Sequence, residues 1–375
     1  MMENLKQKII KNAKKVVIKV GTNVLTNDSG ILDRGKISKL VSQLSYLSKD
    51  QKKQIILVSS GAIGAGMGKL KLDKRPRSLP EIQALAAIGQ SILIEAYRNE
   101  FNKHMLEIGQ ILVTKADFQN RTRYLNISNT LTALLKMNII PIFNENDTVS
   151  TREITFGDND QLSVLVSHSI HADLTIILTS TDGLLDMEKG RSRIDFVEMI
   201  DKNILAKITS EKSSRGAGGM KSKIGAVKQL IQAGEAVIMA NGNSENVLID
   251  IFQEKKLGTF FKPREMKLKR KKTWIAYSAK PSGEIFIDEG ARNALLKNSS
   301  LLAIGVKGMK GEFTRGAITR VLCNDREVAR GLVNYSSKEL LKIKGMKSSD
   351  IPDILEGDIY EEVIHKDNLV ITAED

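Results

Sequence analysis

Lys19 sits near the end of the apolar run Val16-Val17-Ile18-Lys19-Val20 and is followed at once by Gly21-Thr22-Asn23. Far along the chain, Lys223 closes Gly218-Gly219-Met220-Lys221-Ser222-Lys223, where a helix is predicted to begin. Between them lie Ser59-Ser60-Gly61-Ala62-Ile63-Gly64-Ala65-Gly66, Asn144-Glu145-Asn146-Asp147 and Gly157-Asp158-Asn159-Asp160. Each of these clusters opens or follows an apolar run. Two cations beside small-residue turns suit phosphate chemistry, in which positive charge holds and neutralises a phosphoryl group in transit.

Each motif also has a plainer reading. Gly21 lets backbone approach a ligand closely, and amides at a helix start favour anions. On its own, however, a Lys-Gly pair reads as a surface lysine beside a structural glycine. The small residues from Ser59 to Gly66 can form a backbone nest for an anion, or a tight strand-to-helix turn that needs them for packing. They are not a P-loop: the glycine required five positions before Gly68 is Ile63. The two acidic-amide clusters can hold an ammonium group, orient the lysines or help organise a metal, and equally can be turns and helix caps. Leu178-Thr179-Ser180-Thr181-Asp182-Gly183-Leu184 follows another apolar run, and can hold a nucleotide base or ribose or be an ordinary turn. Gly216-Ala217-Gly218-Gly219-Met220 suits a loop closing over polyphosphate, or a flexible surface loop. His104, His168, His171 and His365 make no convincing metal set, and metal ligands stay unassigned.

The elements that must position these residues alternate between two periods. Strand-like runs occur at 16–20, 54–58, 109–113, 139–143, 174–178 and 236–240. Helix-period segments fall between them at 33–49, 81–101, 122–137, 159–170 and 220–233. This alternation predicts an α/β domain with a mainly parallel sheet covered by helices on both faces. Ligands of such sheets collect at the carboxyl ends of the strands, where the motifs lie. The pattern changes after a basic stretch that holds nine lysines and arginines between Lys255 and Lys272 against one acid, Glu265. Beyond it come short strand-like runs at 274–277, 284–287, 301–306, 317–323 and 328–332, with helical stretches at 289–297 and 337–342. The expected domains are 1–262, a basic linker at 263–273, and a small, mostly β, barrel-like module over 274–375.

The chain has 375 residues, 41% of them hydrophobic and 27% charged, enough to bury a sizeable core. Its formal net charge of +13 suits an anionic substrate, nucleic acid or an anionic surface without choosing among them. The single cysteine, Cys323, rules out an intrachain disulfide and reads as a core filler in a reducing compartment. No apolar run is long enough to span a bilayer, and the amino-terminal segment lacks a signal-peptide core. The expectation is a soluble, cytoplasmic protein with no membrane partner.

In this order, Lys19-Val20-Gly21-Thr22, Ser59-Ser60-Gly61-Ala62-Ile63, Asn144-Glu145-Asn146-Asp147, Gly157-Asp158-Asn159-Asp160 and Gly218-Gly219-Met220 closely resemble the glutamate 5-kinase family of the amino acid kinase superfamily. The carboxyl-terminal module resembles a PUA domain, an RNA-binding fold elsewhere. The resemblance implies the three-layer α/β/α amino acid kinase fold followed by a PUA-like barrel. It implies ATP-dependent phosphorylation of the side-chain carboxylate of L-glutamate, giving glutamyl 5-phosphate for proline synthesis, with Mg2+ and with proline as feedback inhibitor. By the same resemblance Lys19 serves the transferred phosphoryl group, Lys223 the nucleotide phosphates and transition state, and Asp160 orients both lysines. Ser60, Asp147 and Asn159 contact glutamate, with Gly61, Ala62 and Asp158 nearby. Gly21, Thr179 and Ser180 approach ATP, and Ala217, Gly218, Gly219, Met220, Lys221, Ser222 and Lys223 cover its phosphates. Three positions depart from the family pattern: Ser180 stands where an acidic residue is common, Asn23 where serine is frequent, and Lys221 adds a charge to the phosphate loop. A homodimer or homotetramer is usual in such proteins. Rival readings are a kinase for aspartate, acetylglutamate, carbamate or a nucleoside monophosphate, and an RNA-binding regulator acting through the PUA-like module.

Overall fold

The computed structural model describes residues 2–149, 159–187, 190–208, 219–265, 267–355 and 359–372. The apolar runs form β1 (Lys15–Val20), β2 (Gln54–Val58), β3 (Ile108–Val113), β4 (Ile140–Glu145) and β5 (Leu174–Thr179). They are joined by β6 (Phe196–Val197), β7 (Ala236–Asn241) and β8 (Thr259–Phe261). Together they make an eight-stranded sheet ordered β3-β4-β2-β1-β5-β7-β8-β6. Every pairing from β3 through β7 is parallel, whereas β8 runs antiparallel to β7. β6 and β8 have only two and three residues, too few to show a period in the sequence.

Alternate residues of the central strands enter different cores. Ile176 and Leu178 join Val16, Ile18, Ile55 and Leu57 under the helices Arg34–Lys49 and α2 (Leu79–Lys103). Ile177, Val237 and Met239 pack on the other face against Val164 of α3 (Asn159–Ile170) and Val227 and Leu230 of α4 (Met220–Gln232). This is the expected three-layer α/β/α arrangement, and burial on both faces explains why the strands read as unbroken apolar runs. Chain order steps from β1 through β2, β3 and β4, then returns to the other side of β1 as β5. The return makes a topological switch point beside β1, where a crevice opens at the carboxyl ends of the strands.

The chain divides into two compact units, Met1–Phe118 with Thr122–Lys267, and Gln119–Arg121 with Leu268–Asp375. The division falls inside the basic stretch. The second unit holds a five-stranded sheet ordered Val306–Lys310, Gly283–Ile287, Ile318–Cys323, Arg326–Leu332 and Leu369–Ile371. Ile285, Val321, Ala329, Tyr335, Leu340 and Ile364 belong to its core. Two expectations fail here. Residues 274–277 are not a strand: Trp274–Ser278 is a helical turn closed by Ala279 N–H donating to the Trp274 carbonyl at 2.9 Å. Residues 301–306 break into Leu301–Leu302 and a tight turn over Ala303–Gly305, and the long strand starts only at Val306. In both cases an apolar run is too short to separate strand from helical turn.

Candidate active site

Lys19 lies one residue before the end of β1, in the middle of the sheet, and both its side chain and that of Asp160 are buried. α3 starts at Asn159, so Asp160 stands in its first turn, where a carboxylate also suits the helix dipole. Lys19 Nζ forms an ion pair with Asp160 Oδ1, and Lys223 Nζ meets Asp160 Oδ2 at 3.1 Å. One buried carboxylate thus bridges two ammonium groups brought from β1 and from the first turn of α4. A Cβ on Gly21 would lie 3.8 Å from Lys19 Nζ, and the Gly21 N–H donates to the Leu178 carbonyl at 3.3 Å. This position therefore ties the end of β1 to β5 with no side chain crowding the lysine.

A second cluster sits at the ends of β2 and β4. Asn159 Nδ2 donates to the Ser59 carbonyl at 2.6 Å, to Ser60 Oγ at 2.9 Å and to Asn144 Oδ1 at 3.1 Å. Asn144 in turn donates to Gln90 Oε1 of α2 at 2.7 Å. Ser59 Oγ is 2.9 Å from the hydroxyl of the buried Tyr97. Gly61, with φ of 105°, makes the left-handed step that a β-carbon disfavours. It precedes α1 (Ala62–Lys69), whose Ala62 is buried. Asp147, half-buried just beyond β4, has its carboxyl pushed up to about 6, first by burial and then by the Glu145 charge, while Arg75 opposes both.

Thr179 closes β5, and its carbonyl accepts from Gly242 N–H at 2.8 Å. Ser180 is exposed. Gly219 is the extended residue before α4 and has no side chain to cap it, and a helix start of this kind favours an anion. Met220 and Ser222 are half-buried and Lys221 is exposed. Asp158, Ala217 and Gly218 lie outside the described residues. Sequence reasoning missed Gln90, Tyr97 and Arg75, none of which belongs to a recognisable local motif.

The amino acid kinase family pattern matches residues 14–241, and the PUA domain pattern matches residues 283–355. A glutamate 5-kinase from Caldanaerobacter subterraneus subsp. tengcongensis is 47% identical, the match covering 95% of this chain and 97% of that protein. The chain belongs to the glutamate 5-kinase family. A second family member, from Syntrophus aciditrophicus, is 44% identical over 99% of this chain and 97% of its own length. A third, from Pelobacter propionicus, is 41% identical over 98% of this chain and all of its own length. Carbamate kinase from Giardia lamblia bound to AMP-PNP overlays on 68% of this chain at 16% identity with a TM-score of 0.48, a likeness too weak to add to the assignment.

Proposed function

We propose that this protein transfers the γ-phosphoryl group of ATP to the side-chain carboxylate of L-glutamate, giving L-glutamyl 5-phosphate and ADP, the first step of proline biosynthesis. The observation that carries this reading is Asp160 held between Lys19 and Lys223 at the switch point of the sheet. The attacking carboxylate is already ionised at neutral pH, so no general base is needed. Catalysis then rests on in-line placement and on neutralising charge that spreads over the moving phosphoryl oxygens. In this reading Lys19 faces the transferred group, Lys223 and the first amides of α4 face the nucleotide phosphates, and Asp160 fixes both ammonium groups. Gly21, Thr179 and Ser180 border the nucleotide, with Ala217 to Ser222 over its phosphates. Ser60, Asp147 and Asn159 hold the amino acid, with Gly61, Ala62 and Asp158 beside them.

No group of three or more His, Cys, Asp or Glu suited to a metal occurs among the described residues. Mg2+ is proposed as a companion of the ATP phosphates, where it would supply further positive charge. The test is hydroxylamine trapping of the acyl phosphate. Hydroxamate formed with ATP, Mg2+ and L-glutamate, and not with aspartate or acetylglutamate, supports the reading. A folded protein inactive on glutamate refutes it.

Asp147 gives this site a pH dependence. With its carboxyl at about 6, the group is charged at neutral pH and can hold the glutamate ammonium. As the pH falls through 6 it becomes neutral, and KM for glutamate should rise by up to roughly tenfold per pH unit while KM for ATP changes less. The stability effect has the opposite sign. The raised value means that folding without ligand is penalised as pH rises from the ordinary 3.8 through 6, a cost that a bound ammonium removes. Glutamate KM that stays flat from pH 7 to 5, or that is unchanged in sign and slope in Asp147→Asn, excludes this role.

Other features complete the proposal. The kinase domain is assigned to 1–262, the basic linker to 263–273 and the PUA-like domain to 274–375. Proline, which shares the ammonium and carboxylate of glutamate, is proposed as an inhibitor competing at the amino-acid site. The proposed setting is a cytoplasmic homodimer or homotetramer. No helix among the described residues is long and apolar enough to cross a membrane. The rival reading, an RNA-binding regulator acting through the PUA-like module, is motivated by the PUA match and the basic stretch and predicts an affinity for RNA that falls steeply with salt.

A further inference from the structure

We propose that Gln90 is a positioning residue that holds the amino-acid site in place through a relay of side-chain amides. This inference rests on the assignment of Asn159 to the amino-acid substrate. An amide side chain offers a donor at one end and an acceptor at the other, and a site that recognises an ammonium group needs the acceptor end.

Two backbone groups, which cannot reverse their roles, fix the relay. Glu145 N–H donates to Asn144 Oδ1 at 2.9 Å, so the amino end of Asn144 must point the other way. There it donates to Gln90 Oε1 at 2.7 Å. At the far end the Ser59 carbonyl accepts from Asn159 Nδ2 at 2.6 Å. The same Nδ2 reaches Asn144 Oδ1 at 3.1 Å. With its amino end so engaged, Asn159 turns its carbonyl oxygen away from the relay, where it can accept from the substrate ammonium. Asn144 is 4% exposed, so its amino end has little water to replace Gln90. Turning Asn144 over would set its donors against Glu145 N–H and Asn159 Nδ2. The two backbone groups choose the orientation of the chain, and Gln90 is the acceptor that satisfies the buried Asn144 amino end in that orientation and so holds Asn144 against Asn159.

The test uses Gln90→Leu, which removes the acceptor, and Gln90→Glu, which keeps an acceptor oxygen in a side chain of similar size. In Gln90→Leu the KM for glutamate should rise about tenfold with KM for ATP little changed, and the stranded Asn144 donor should lower Tm by a few degrees. Gln90→Glu should stay close to the parent. A second readout needs no substrate. In ligand-free protein carrying 15N-asparagine, the Asn144 side-chain NH2 protons should exchange slowly in the parent and in Gln90→Glu, and faster in Gln90→Leu. Equal exchange in all three proteins overturns the proposal. So does a KM for glutamate that is unchanged in Gln90→Leu or raised alike in both variants, and so does a joint loss of Tm and of both KM values. A parent protein inactive on glutamate but showing the exchange difference would refute the substrate assignment and leave the relay standing.

Discussion

Replacing Asp160 with asparagine lowers kcat by roughly 100- to 1,000-fold, the scale seen when a preorganised electrostatic contact is removed from a transition state. The carboxylate has no exposed surface and touches both Lys19 and Lys223. An amide keeps one acceptor oxygen but turns a donor toward one of the two ammonium groups. Their mutual repulsion then loses the opposing charge of Asp160, which loosens the placement of both. The same substitution removes the Asp160 charge from the buried Lys19, and removing one member of a buried ion pair typically costs about 3–5 kcal/mol of stability. The two effects can be told apart, because ATP brings phosphates that replace the lost charge. ATP should therefore raise the Tm of Asp160→Asn by more than it raises that of the parent. Because the three groups act as a unit, adding Lys223→Ala to Asp160→Asn should cost far less than the product of the single losses. A variant with kcat within a few-fold of the parent, measured as hydroxamate, would show that the bridge does not serve the reaction.

The parts of this molecule legible in the sequence are those dictated by local pattern. β2 and α3 fall where their periodicity places them, because a doubly covered strand is apolar throughout and a buried helix start carries its own Asx residues. Lys19, Asp160 and Lys223 carry no pattern that relates them to one another. They meet because β1, α3 and α4 end at the same edge of one sheet, and only the order of the motifs announced it. Gln90 had no signal at all: a polar residue in the middle of a long helix ordinarily faces water, whereas this one is half-buried and accepts from Asn144 at the end of β4. The raised carboxyl of Asp147 is likewise a product of burial and of the Glu145 charge, neither of which is visible in the sequence around it. Trp274–Ser278 shows the opposite limit, in which an apolar run was visible but too short to declare its conformation.

Gly89→Ala destabilises the protein and weakens glutamate binding together, although alanine favours an isolated helix over glycine by about 1 kcal/mol. A β-carbon at Gly89 would lie 1.7 Å from the Ala62 carbonyl oxygen and 2.5 Å from the Gly66 nitrogen. The reciprocal contact is as tight, since a β-carbon at Gly66 would lie 2.1 Å from the Leu85 carbonyl oxygen. These neighbours are backbone atoms, so no change of rotamer relieves the overlap, and α1 and α2 must move apart. Overpacking of this kind costs about 1–3 kcal/mol and outweighs the helical gain. For a unit of this size the expected loss in Tm is about 2–8 °C. α1 cannot move alone, because Ala62 follows the Ser59-Ser60-Gly61 turn that receives Asn159. KM for glutamate should therefore rise more than KM for ATP. Gly225→Ala in α4 is the control, since among the described residues nothing lies within 4 Å of its β-carbon position, and its Tm should hold or rise. Equal Tm values for the two variants would mean that the α1–α2 contact is loose enough to yield, and that the turn before α1 is not held in place by this packing.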